Sequence, residues 1–214
     1  MTIEEYLKEL ESSASPVLQE MEALAKDNGF PIIGAQCGRR LMTLAMAIGA
    51  KRVFEMGSGY GYSSIWFAHA VGQDGKVTHT DGDPENTKLA KEYIEKAGFS
   101  DRVEFFTGDA NEILATSEKI YDVILIDIDK QDYPKALDIA VPKLRIGGLI
   151  LTHNTKWFSR LVDPDNNEDT TQGIREYNRR SFSHPELATY IDPADDGLGI
   201  SLKVDPELRK TLPV

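Results

Sequence analysis

Cysteine is nearly absent: Cys37 is the single thiol in 214 residues. No intrachain disulfide can form, and no structural zinc site can be built on one thiolate. Long apolar runs are missing, so no membrane span is expected. The opening MTIEEYLKEL has neither a basic stretch nor an apolar one, so the expectation is a cytoplasmic chain without a signal peptide. Positive charge is in deficit. Lys and Arg number 24 against 35 Asp and Glu, a formal net charge of −11. Such a surface repels phosphate backbones and anionic lipid, so neither nucleic acid nor membrane is expected as a partner. The pairs Arg39–Arg40 and Arg179–Arg180 read as solvated charge. Repeats and low-complexity tracts are lacking too.

What is present is a globular composition, 41% hydrophobic and 28% charged, which argues against disorder. The length suits one domain with a substantial core. Ile3, Tyr6, Leu7 and Leu10 recur at helical spacing. Ser15-Pro16 reads as a cap with proline at the first helical position, and Asn28-Gly29 as the stop of a second helix. A third helix is expected over Gly38–Ile48.

From Lys51 the pattern alternates. Strands are expected at Arg52–Met56, Lys76–Thr80, Arg102–Thr107, Tyr121–Asp127 and Leu149–Thr152, with helices at Tyr62–Val71, Pro84–Ala97, Ala110–Ser117 and Tyr133–Leu144. Apolar strands alternating with helices imply parallel βαβ units and a doubly wound α/β sheet. Beyond Asn154 come a polar loop (Asp163–Thr171), a helix (Thr171–Ser181) and two late strands, Leu187–Ile191 and Leu198–Val204. The simplest use of those two is an antiparallel pair at the sheet edge. The chain thus divides into N-terminal helices (1–50), a ligand-binding core (51–154) and a loop with edge strands (155–214), all in one domain.

The first strand runs into Glu55-Met56-Gly57-Ser58-Gly59-Tyr60-Gly61-Tyr62-Ser63. Ligands of open α/β sheets bind at the carboxyl ends of the strands, and glycines there admit close backbone approach. The spacing G-x-G-x-G is one residue tighter than the nicotinamide fingerprint. Glu55 before it would repel a pyrophosphate but suits a cationic or zwitterionic ligand without phosphate, as S-adenosylmethionine is. Asp81 ends the next strand, where a carboxylate can accept ribose hydroxyls. Gly108-Asp109-Ala110 follows the third strand on the same edge. The fourth strand runs into Asp127-Ile128-Asp129-Lys130 and the fifth into His153-Asn154. Carboxylate and amide oxygens at adjacent strand ends are ligands for a hard divalent cation.

With these motifs in this order, the chain resembles the cation-dependent O-methyltransferases, the family of catechol O-methyltransferase and caffeoyl-CoA O-methyltransferase. The resemblance spans about residues 31–204, from Pro31 and Gly38 through Gly147-Gly148, Asn154 and Trp157 to Asp196-Gly197. It implies the Rossmann-like class I methyltransferase fold, with a mainly parallel seven-stranded sheet, and a homodimer. The activity it implies is S-adenosylmethionine-dependent O-methylation of a small catechol-like or phenolic acceptor. Glu55, Gly57, Ser63 and Asp81 would hold the cofactor, with Asp109 and Ala110 near the adenine and Asp127 beside them. Asp127 and Asn154 would bind metal, and Lys130 would take the phenolic proton. Trp157 and Phe158 form a substrate wall or simply pack the loop.

The sequence departs from the family at His153, where the members carry aspartate. As a ligand, His153 would disfavour magnesium and favour manganese or another transition metal. Otherwise the residue is structural and the metal weak or absent. Gly59 stands where many members carry tyrosine. Two further readings stay open: a metal-independent methyltransferase with His153 or Lys130 as sole base, and a non-catalytic S-adenosylmethionine-binding protein. A nicotinamide oxidoreductase is more distant. His69, His79 and His184 lie outside the motifs.

Overall fold

The computed structural model describes residues 1–11 and 15–213. Its strands are β1 (Arg52–Met56), β2 (Lys76–Asp81), β3 (Val103–Thr107), β4 (Tyr121–Ile126), β5 (Leu144–Thr152), β6 (Leu187–Asp192) and β7 (Leu198–Lys203). The helices are α1 (Ile3–Glu11), α2 (Pro16–Asn28), α3 (Gly34–Ala47), α4 (Tyr62–Val71), α5 (Pro84–Lys96), α6 (Ala110–Thr116), α7 (Tyr133–Lys143), α8 (Asp169–Ser183) and α9 (Pro206–Arg209). The strands form one seven-stranded sheet in the order β3-β2-β1-β4-β5-β7-β6. All neighbours pair in parallel except at β7, which is antiparallel to both β5 and β6.

Successive side chains of a strand face opposite sides, and the central strands carry apolar residues on both. Val53, Val123, Leu125 and Leu149 enter one layer, with α2, α3, α4 and α5. Phe54, Met56, Ile124, Ile126 and Ile150 enter the other, with α6, α7 and α8. Each fully buried aliphatic side chain contributes about 1.5–3 kcal/mol, so these two layers hold the sheet more than helix propensity does. Cys37 belongs to the first layer at 2% exposure.

The expected elements are present, with shifted ends. Strand β5 starts five residues before the expected Leu149. Tyr121 pairs with Leu144, and the register then slips before Val123 meets Leu149. Between those pairs β4 advances two residues and β5 five, and Gly147, at φ 77°, lies in this irregular stretch. Helix α3 starts at Gly34 rather than Gly38. Gly38 is instead a packing position, where a Cβ would meet Trp66 Cε2 at 2.5 Å. Ser15 precedes α2 as expected, with Pro16 opening the helix, but its side chain caps no amide. Short 3-10 turns at Lys130–Asp132 and Trp157–Val162, and α9, were not anticipated from sequence. Among the described residues, no helix is long and apolar enough to cross a membrane.

Candidate active site

Strand order reverses between β1 and β4, and the crevice at such a switch point opens at the carboxyl ends. Single backbone bonds extend the ladders just past those ends. Ser58 N donates to Thr80 O at 2.9 Å, Asp127 N to Met56 O at 2.9 Å, and His153 N to Ile126 O at 3.1 Å. The residues following β1, β4 and β5 are thereby fixed side by side. They border a cavity of about 1250 Å³.

One end of the cavity is the glycine-rich turn. Gly57 has φ 81°, and a Cβ there would press on the Asp127 carbonyl carbon at 2.9 Å, so only glycine lets the β1 and β4 ends approach. Gly59 is held at both ends: its N–H donates to Asp81 Oδ2 at 2.8 Å, and its carbonyl meets His79 Nε2 at 3.0 Å. Burial lowers the pKa of the His79 ring, which keeps it neutral. Asp81 Oδ1 accepts from Asp83 N at 2.9 Å and Asn86 Nδ2 at 3.1 Å. Asp109 caps α6, accepting from the amides of Asn111 and Glu112. Asp81, Asp109, Ala110, Gly57 and Ser63 all border the cavity.

Glu55 does not. It is fully buried beneath the turn, with a short hydrogen bond from Ser64 Oγ to Oε2 and no partner at Oε1. Burial pushes its carboxyl up to about 7, against the opposing pull of the Ser63 and Ser64 hydroxyls.

Phe30 completes this end. Its ring lies over Gly59, where a Cβ would meet it at 3.0 Å, and packs on Tyr60 at 4.8 Å between centroids. The ring thus occupies space that a side chain at position 59 would need. Tyr60 Oη donates to Met21 O at 3.0 Å and Tyr62 Oη to Glu22 Oε1 at 2.5 Å, so α2 is tied to the turn. Sequence reasoning assigned no role to Phe30 or His79. The apolar run Phe30-Pro31-Ile32-Ile33 directly after a helix stop was the available signal for Phe30.

At the other end, one carboxylate serves two partners. Lys130 Nζ donates to Asp127 Oδ1 at 2.8 Å and to Ile128 O at 3.1 Å. His153 Nδ1 lies 3.3 Å from Asp127 Oδ2. Burial alone would raise the Asp127 carboxyl, but His153 and Lys130 outweigh it and hold it well below the usual carboxylate range. Tyr133 Oη fixes the next turn by donating to His153 O at 3.1 Å. Lys130 Nζ also sits 5.0 Å from the Tyr133 ring centroid and 6.0 Å from that of Trp157. Asn154 points its Nδ2 at Asp196 Oδ2, 2.9 Å away.

The three residues expected to bind metal are therefore together, but they do not fit a divalent cation as arranged. The single carboxylate has one oxygen on an ammonium and the other beside an imidazole, and the amide is turned to Asp196. Among the described residues, no group of three or more His, Cys, Asp or Glu side chains could hold a metal ion.

A family model described as O-methyltransferase matches residues 8–204. A Mycolicibacterium smegmatis protein, provisionally named an O-methyltransferase, is 31% identical over 176 residues, covering 81% of this chain and 84% of its own. A Klebsiella pneumoniae structure of the same provisional name superposes with a TM-score of 0.87 at 27% identity, covering 94% of this chain and 96% of its own. The Bacillus cereus O-methyltransferase, solved with SAH, has a TM-score of 0.86 at 25% identity, over 93% and 96% of the two chains. Sheet order, the cavity at the switch point and a match over most of the sequence agree: the chain belongs to the O-methyltransferase family.

Proposed function

We propose that the chain transfers the methyl group of S-adenosylmethionine to a hydroxyl of a small catechol-like or phenolic acceptor. The observation that carries this reading is Asp127, shared by Lys130 and His153 in the cavity that also holds the glycine turn. The donors at the glycine end suit the cofactor. Gly57 and Gly59 put no side chain into the cavity, Asp81 and Asp109 offer carboxylate acceptors, and no basic cradle for a pyrophosphate lies among them. Asp81 is assigned to the ribose, Asp109 and Ala110 to the adenine side, and Ser63, Gly57 and Asp127 to the methionine side. Glu55 acts from beneath, through Ser64. S-adenosylmethionine supplies a methyl on a sulfonium, and its transfer to oxygen leaves a neutral thioether.

The chain's own work is on the acceptor proton. Lys130 Nζ is already engaged by Asp127 Oδ1 and the Ile128 carbonyl. An imidazole whose Nδ1 faces a carboxylate has Nε2 free to accept. We therefore assign the proton to His153 Nε2 and the developing oxyanion to the Lys130 ammonium, a change from the expectation that Lys130 itself is the base. An ammonium about 4 Å from an oxyanion contributes about 4 kcal/mol at an effective dielectric near 20. The two groups act on the two halves of one event, the proton and the charge it leaves behind. Positioning and exclusion of water supply the rest.

The test is turnover of a catechol panel with and without strong chelator. Expected is methylation that survives chelation. Activity that is abolished by chelator and restored best by manganese would favour the other reading, a retuned metal site at Asp127, His153 and Asn154. Cofactor binding without turnover on any acceptor would leave a non-catalytic binding protein.

The same reading takes the chain as a cytoplasmic homodimer, supported by α1, whose Ile3, Tyr6, Leu7 and Leu10 are 43–68% exposed. Light scattering at micromolar concentration should give twice the chain mass, and a monomer would remove this part.

A further inference from the structure

Among the described residues, five other than glycine have positive φ: Asn154 (56°), Trp157 (48°), Phe158 (50°), Ser159 (65°) and Asp195 (51°). All five border the cavity at the Lys130 end. Residues with a Cβ avoid this region, and a run of three in succession is disfavoured at each step. Such a conformation persists only where its surroundings hold it. Packing does not hold Phe158, which is 68% exposed.

Asp196 does hold it. Its Oδ1 accepts the Phe158 N–H at 2.5 Å, and its Oδ2 accepts Asn154 Nδ2 at 2.9 Å. Its main-chain oxygen accepts the Lys156 N–H at 2.9 Å. One residue of the turn before β7 thus ties down three residues of the segment after β5. Gly197 makes the approach possible, since at φ 85° a Cβ would meet Thr155 Oγ1 at 2.8 Å. The geometry leaves Asp196 with hydrogen bonds to the loop rather than to the Lys130–Asp127–His153 group.

We propose that Asp196 is a positioning residue for the acceptor: its carboxylate locks Trp157–Ser159 in the left-handed form that walls the acceptor end of the cavity. This rests on the methyl-transfer reading above. It predicts that losing the carboxylate weakens acceptor binding and leaves cofactor binding intact. Asparagine keeps an oxygen for the Phe158 N–H, and Asn154 can turn its amide to present its own oxygen to the new NH₂ group.

The experiment compares wild type, Asp196→Ala and Asp196→Asn as full chains, with catechol as acceptor at saturating S-adenosylmethionine. SAH affinity is measured by calorimetry. Asp196→Ala should raise the KM for catechol about ten- to hundredfold with SAH affinity changed by less than about twofold, and Asp196→Asn should recover most of the loss. If Asp196→Ala does not accumulate folded, Asp196→Ser, too short to span both ties, should show the same split.

Hydrogen exchange gives a readout without turnover. The Phe158 amide should exchange slowly in wild type and at least about tenfold faster in the alanine or serine variant, while the Gly57–Gly61 amides stay unchanged. An unchanged KM, an equal loss of SAH affinity, an asparagine variant as impaired as alanine, or fast Phe158 exchange in wild type would each overturn the proposal. Absence of catechol turnover in wild type would instead count against the methyl-transfer reading, and amide exchange would still decide the role of Asp196.

Discussion

At the residue scale the decisive object is a carboxylate with two neighbours. Because Lys130 and His153 both lean on Asp127, they act on one event, and their removal should not add. His153→Gln and Lys130→Ala should each lower kcat about a hundredfold with little change in KM. The double variant should be scarcely worse than either single one. Steady-state kinetics on catechol check this, and a His153→Gln enzyme with near-normal kcat would hand the proton back to Lys130. Much of the candidate site was legible at this scale, because each of these polar residues stands at the end of a strand or within two residues of it. Asp81, Asp109, Asp127 and His153 were found in that way. Which atoms face which partners was not legible. The pairing of Asn154 with Asp196 joins residues 42 apart and that of His79 with Gly59 residues 20 apart, and no local pattern announces either.

At the element scale the segment after β5 depends on a side chain from α8. Arg175 donates from Nε to Leu161 O at 3.0 Å and through its two terminal nitrogens to the carbonyls of Asn166 at 2.8 Å, Arg160 at 3.3 Å and Asp163 at 2.5 Å. A planar fork with several donors can serve this many acceptors, and an ammonium on a single stem cannot. Arg175→Lys should therefore leave carbonyls unsatisfied, at about 1–3 kcal/mol for each buried one. The expected result is faster proteolytic cleavage within residues 160–167 and a lower Tm, and unchanged cleavage there would refute the strut. Sequence periodicity located the strands and helices, since two-residue and 3.6-residue repeats are properties of the chain itself. It could not locate the early start of β5, which follows from the irregular pairing after Tyr121. Nor could it reveal the 3-10 turn at Trp157–Val162, whose left-handed Phe158 is bonded to Asp196 in the turn before β7.

For the whole molecule, two carboxylates, the partly buried Asp127 and the fully buried Glu55, give stability opposite pH dependences. Asp127 is held below its ordinary range in the fold. Its contribution is present above the unfolded value and is lost as pH falls through the folded one. Glu55 is raised to about 7 from 4.5. Its protonated form suits the fold, so its contribution is full below the unfolded value and is lost as pH rises towards the folded one. The shift corresponds to roughly 3 kcal/mol. Glu55→Gln should therefore raise Tm at pH 8 and give no gain near pH 4.5, while weakening cofactor binding if the carboxylate serves the turn. Thermal melts across that range test it, and an equal gain at both ends would discard the titration argument. Self-repulsion from the net charge of −11 works in the same direction as Glu55, growing as pH rises.

The lone thiol has a practical consequence. Cys37 is 2% exposed, and burial pushes its pKa to about 12 even beside Arg40. A free thiol ionises near 8.5, and only the thiolate attacks an alkylating reagent. In the folded chain Cys37 is thus both shielded and protonated, and it becomes reactive when the helical layer over β1 and β4 opens. With no second cysteine to react in its place, the alkylation rate reports how often that layer opens. The protein therefore carries a built-in clock for its own opening, which a bound ligand should slow in proportion to how firmly it closes the cavity.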